Sequence, residues 1–113
     1  MSNNTELLND TFVQTWLKGL SARTKQNYLE RIPLWNAFIC MTPTKQIEKR
    51  LKDLRSDNLT ERIFFETKFR EFKEELEQKG TLKARTVTTV LTAVSSFFTR
   101  NGLALQLKKG DWK

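Results

Sequence analysis

The sequence predicts an all-α domain, a small bundle of four to five helices. Three observations carry that expectation. Apolar residues recur three and four positions apart through most of the 113 residues, which places them on one face of a helix. Cap and stop residues separate these runs at intervals of helix length. Strict alternation of apolar and polar residues, the mark of a half-buried strand, fails wherever β-branched residues gather.

In chain order, Phe12, Val13, Trp16, Leu17 and Leu20 form a first amphipathic helix, with Asn9 or Asp10 as its cap. Gly19-Leu20-Ser21 closes it, and Ser21 is placed to cap the next. That second helix, about 22–41, sets Tyr28, Ile32, Trp35, Phe38 and Ile39 on one face. Pro33 removes a backbone hydrogen bond and crowds the carbonyl of Leu29, so a kink or a break is expected there. Its outer face before the proline carries Arg23, Thr24, Lys25, Asn27 and Arg31 against Glu30.

Thr42-Pro43 is a cap followed by a first-turn proline. It predicts a third helix to about Arg55 with Ile47, Leu51 and Leu54 inward. After the break Ser56-Asp57-Asn58, a fourth helix over about 60–79 buries Phe65, Phe69, Phe72 and Leu76, its Glu and Lys residues forming a solvated face. Gly80 ends it. The last helix, Lys83 to Arg100, aligns Val87, Val90, Leu91, Val94, Phe97 and Phe98, and Asn101-Gly102 stops it. Residues 1–8 are expected to be a flexible segment, 9–102 the folded domain and 103–113 a basic linker.

Composition narrows the function classes. The chain has no histidine and one cysteine, which removes the commonest general base and any ordinary zinc site. No glycine-rich phosphate loop is present among four glycines. Catalytic residues, a metal and a cofactor are therefore not expected. Cys40, in the apolar run 37–41, reads as a buried inert thiol. No apolar run is long enough to cross a membrane, and Met1 to Thr5 lacks the order of a signal peptide. The expectation is a cytoplasmic protein.

The net charge is +7, and it is regional. Residues 81–113 carry six Lys/Arg against one Asp, whereas residues 58–79 carry five Lys/Arg against six Glu. The outer face of the last helix holds Arg85, Thr88, Thr89, Thr92, Ser95, Ser96 and Thr99 with no carboxylate. Such a face suits close approach to a polyanion. The starts at Ser21-Ala22-Arg23-Thr24-Lys25 and Lys83-Ala84-Arg85-Thr86 share a design of small, hydroxyl and cationic residues. Helix N-termini with such residues suit phosphate, and Arg, Lys, Asn and Thr also reach base edges. Singly, each feature reads first as an ordinary cap or a solvated cation.

In order and spacing these residues resemble a known family. Ser21-x-x-Thr24-x-x-x-Tyr28, the stripe through Trp35 and Phe38, then Phe72-x-x-x-Leu76-x-x-x-Gly80-x-Leu82-x-x-x-Thr86-Val87 and Leu91 to Phe97-Phe98 are similar to the SAM-like core-binding domain of tyrosine recombinases, the phage integrases. The resemblance spans Phe12 to Asn101. It implies half of a clamp on double-stranded DNA for integration or recombination, with the second and last helices facing the major groove. The DNA-facing positions it implies are Arg23, Thr24, Lys25, Asn27, Arg31, Lys83, Arg85, Thr88, Thr89, Thr92 and Ser95. Tyr28, Trp35, Leu91, Phe97 and Phe98 fall at core positions.

Three departures accompany the resemblance: Lys83 replaces a capping serine, Pro33 lies within a helix usually continuous, and the helix Thr42 to Arg55 is additional. Strand cleavage in the family uses a tyrosine supported by arginines, a lysine and histidines in a following domain. Tyr28, the sole tyrosine, reads as core. The resemblance thus implies a non-enzymatic piece cut at the interdomain linker. Its partners would be a catalytic domain in cis and other recombinase protomers on DNA, in a prokaryotic cell or nucleoid, phage or mobile-element origin included. The other reading of the residues is a helical protein–protein interaction module, or a recombination accessory factor, using Leu105 or Trp112.

Overall fold

The computed structural model describes residues 4–108, and these form seven helices and no strand. The order is α1 (Asn4–Asn9), α2 (Thr11–Leu17), α3 (Ala22–Ile39), α4 (Pro43–Leu54), α5 (Leu59–Arg62), α6 (Phe64–Lys79) and α7 (Ala84–Arg100). The class is the all-α bundle that periodicity predicts. Two helices go beyond the expected set. α1 forms where a flexible segment was expected and buries Leu7. The expected fourth helix divides at Ile63 into α5 and α6.

Local chemistry accounts for most boundaries. Asp10 caps α2, its Oδ1 accepting from the N–H of Phe12 (2.8 Å) and Val13 (3.2 Å). Its Oδ2 accepts from the N–H and hydroxyl of Thr44 at 3.1 and 2.7 Å. One carboxylate therefore satisfies free donors at the starts of both α2 and α4. Ser21, Thr42 and Asn58 cap α3, α4 and α5. At the far end of α7, Gly102 takes φ +78. There the N–H of Leu103 donates to Phe98 O and that of Gly102 to Thr99 O, the paired bonds of a Schellman stop.

Several sequence expectations are corrected. α3 runs through Pro33 as one helix, so the break admitted at that proline does not occur. Burial of Leu29 and Ile32 on one side of the proline, and of Trp35 and Ile39 on the other, holds both halves to the same core. Cys40 is exposed: it ends α3 in the left-handed region at φ +57, on the same side of the helix as the exposed Ala37, whose carbonyl its Sγ meets at 3.4 Å. In α4, Ile47 points inward as expected, but Leu51 and Leu54 remain 46% and 40% exposed. Gln46, Arg50 and Asp53 are buried in their place. Glu66, assigned by sequence to a solvated face, is also buried.

Gln46, Arg50 and Glu66 have partners in the core, whereas Asp53 pairs at 3.1 Å with the part-exposed Lys49 one turn back on α4. Gln46 accepts from the Trp35 indole at 2.7 Å and donates to Asn36 Oδ1 and Met41 O. Arg50 meets Glu66 through two parallel bonds of 3.0 and 2.9 Å. The same pair fastens the segment after α7: Arg50 donates to Ala104 O at 3.0 Å, and Glu66 accepts from the Gln106 N–H at 2.8 Å. Leu105 between them is buried, and Leu103 and Leu107 pack on the core. Residues 103–108 of the expected linker thus lie as a strap on the bundle; its remaining residues, 109–113, lie outside the described residues.

Candidate nucleic-acid interface

α7 is central to the bundle. It lies directly against α2, α3 and α6, and buries Val87, Val90, Leu91, Ala93, Val94, Phe97 and Phe98. With those positions inward, Arg85, Thr88, Thr92 and Ser95 fall on the opposite side at helical spacing, Thr89 beside them. Arg85 and Thr88 are exposed, whereas Thr89, Thr92 and Ser95 are half-buried. The whole helix, 84–100, contains no Asp or Glu. Lys83 is its N-cap and is exposed, but supplies no side-chain cap bond. The first N–H groups of α7 thus receive no help from that side chain.

The threonine hydroxyls are already engaged. Thr88 donates to Ala84 O at 3.2 Å, Thr89 to Arg85 O at 3.0 Å and Thr92 to Thr88 O at 2.8 Å. Two polar residues near the same face serve the fold. Ser96 turns inward, where its Oγ accepts from the Trp16 indole at 3.0 Å. Arg100 donates to Trp16 O at 2.7 Å and Lys18 O at 2.6 Å, capping the end of α2. It is a latch between helices rather than a cation reserved for a ligand.

α3 packs on α7, and Trp16 from α2 wedges beside both. The Trp16 ring stacks on Tyr28 at 5.0 Å and meets Phe97 edge-on at 5.4 Å. Arg23, Asn27 and Arg31 are four residues apart and make one stripe along α3. Arg23 and Asn27 are exposed; Arg31 is half-buried. Lys25, two positions from Arg23 and from Asn27, stands on a different side of the helix and is half-buried. It is therefore separated from the stripe that sequence reading assigned it to. The Thr24 hydroxyl accepts from Ser21 Oγ at 3.0 Å, and the Thr24 N–H donates to that same oxygen. Thr24 thus belongs to the cap of α3.

Carboxylates border these faces: the exposed Glu30 lies on α3 three positions after Asn27 and seven after Arg23, and Glu77 lies on α6 beside α7. A cleft of about 300 Å³ between α6 and α7 is lined by Lys73, Glu77, Leu82, Ala84, Val87, Thr88 and Leu91. Glu77 lies 3.5 Å from Lys73 and is offset by it. Among the described residues no group of three or more His, Cys, Asp or Glu could hold a metal ion. No described helix is long and apolar enough to cross a membrane.

No protein-family model matches this chain, and no curated protein or solved structure is significantly similar to it.

Proposed function

We propose that this chain is a double-stranded DNA-binding module, working as a core-binding domain of the tyrosine-recombinase type. A catalytic domain in cis and further protomers on the site would complete the enzyme. The observation that carries the reading is the outward face of α7. Seventeen residues of helix present Arg85 and Thr88 exposed and Thr89, Thr92 and Ser95 half-buried beside them, with no carboxylate. α3 lies directly against it and adds the stripe Arg23, Asn27 and Arg31. Helices with cationic and short polar residues fit the major groove, phosphate contacts setting position and base contacts setting sequence.

The test is fluorescence anisotropy of labelled duplexes over a salt series. Weak binding that falls steeply with salt is expected, since few cations carry it. Arg23→Ala or Arg85→Ala should lower affinity and, for each phosphate no longer neutralised, flatten the plot of log K against log salt by about 0.9. Lys25→Ala should do less. Absence of binding at low salt, with these variants equal to the parent, would falsify the reading.

A second reading rests on different residues. Leu51, Leu54, Leu59 and Ile63 are exposed on α4, α5 and the junction after it, and would suit a helical interaction module. Leu105, named for that role by sequence, is buried, and Trp112 lies outside the described residues. These leucines favour a protein partner if duplex binding fails.

A further inference from the structure

The bonds made by the α7 threonines determine which groups on DNA this face can recognise. A hydroxyl has one proton to donate. In Thr88, Thr89 and Thr92 that proton goes to a carbonyl one turn back, at 3.2, 3.0 and 2.8 Å. What remains to each hydroxyl is lone pairs, and phosphate oxygens have no proton to give them. These three residues are therefore poor phosphate ligands as they stand. The part of each side chain not tied to the helix backbone is its methyl group.

In the major groove, thymine alone presents a methyl, at C5. Its partner adenine presents an amino donor beside it, which the free hydroxyl lone pairs can accept. From this match, and resting on the DNA-binding reading above, we infer that α7 selects A·T pairs by packing the methyl groups of Thr88 and Thr92 against thymine methyls. Arg23, Arg85 and Arg31 supply the sequence-independent hold. Thr88 and Thr92 are one turn apart, so they meet neighbouring positions along the groove. Thr89 sits at the edge of the same face.

The experiment separates methyl from hydroxyl on both molecules. Duplexes are selected from a randomised pool with the full chain at low salt, and the best is remade with deoxyuridine in place of thymidine. That change deletes the C5 methyl and leaves O4 intact. The selected duplex should be rich in A·T pairs. The uridine version should bind about three- to fourfold more weakly for each buried thymine methyl that the substitution deletes. Thr88→Ser and Thr92→Ser, which keep the hydroxyl, should bind more weakly and no longer distinguish thymidine from deoxyuridine. Thr88→Val and Thr92→Val, which keep the methyls but lose the lone pairs offered to adenine, should bind somewhat more weakly and still distinguish thymidine from deoxyuridine. Equal binding of the two duplexes overturns the inference while DNA binding stands. Valine variants that fail where serine variants succeed also overturn it, since the hydroxyl and not the methyl would then be the contact. Failure to recover any duplex sinks the DNA-binding reading itself, and this inference with it.

Discussion

Arg50 carries a formal charge into the core, 1% exposed, and Glu66 meets it at 3%. A buried guanidinium is tolerated only when its charge and its donors are matched. The fork-on-fork geometry with Glu66, together with bonds to Ala104 O and Arg62 O, supplies most of that match. Arg50 Nε and Asp53 Oδ2 are enclosed with no hydrogen-bond partner among the described residues, so the network is not free of cost. Removing one partner leaves an uncompensated charge. Arg50→Met should lower stability in urea melts by about 3–5 kcal/mol, and Arg50→Met with Glu66→Leu should recover most of it. A double variant as unstable as the single one would show that the charge pair is not the source of the destabilisation. A smaller effect is expected at Ser96. Ser96→Ala leaves the Trp16 indole N–H without its acceptor, costing about 1–3 kcal/mol in the same measurement.

At the level of elements, the short helices depend on caps and the strap on anchors. Asp10 serves α2 and α4 together, so Asp10→Ala should cost more than the roughly 1 kcal/mol of removing a single cap. Thermal unfolding of Asp10→Ala beside Thr42→Ala, which removes a cap from α4 only, measures the difference. Equal midpoints would show that the bridge to Thr44 contributes nothing. The strap is held by Leu105 and two backbone bonds to the buried ion pair. Leu105→Ala should destabilise by about 2–5 kcal/mol, and hydrogen exchange at the Gln106 amide should accelerate with it. α6 shows what periodicity captures at this scale. Phe65, Phe69, Phe72 and Leu76 are all buried, because their spacing fixes their side before any partner is known. Periodicity misled in α4, where Leu51 and Leu54 continue the stripe of Ile47 but face solvent. The side they would have faced is filled by Gln46 and Arg50, whose partners Trp35 and Glu66 lie 11 and 16 residues away. No local pattern reports such partners.

For the whole molecule, sequence alone determined the all-α class, most caps, the aromatic core and the absence of carboxylates from α7. These follow from 3.6-residue periodicity, local side-chain bonding and residue type, which need no knowledge of distant contacts. Tertiary structure decided which of the polar residues are available to a ligand. Ser96 and Arg100 resemble their neighbours in sequence, yet Trp16 and the end of α2 engage them. Residues 103–108, without helical periodicity, became part of the bundle because Arg50 and Glu66 had bonds to offer their backbone and Leu105 a place in the core. In each case the deciding contact joins segments far apart in the chain. Such contacts exist only once the chain has folded, and the sequence holds them without displaying them.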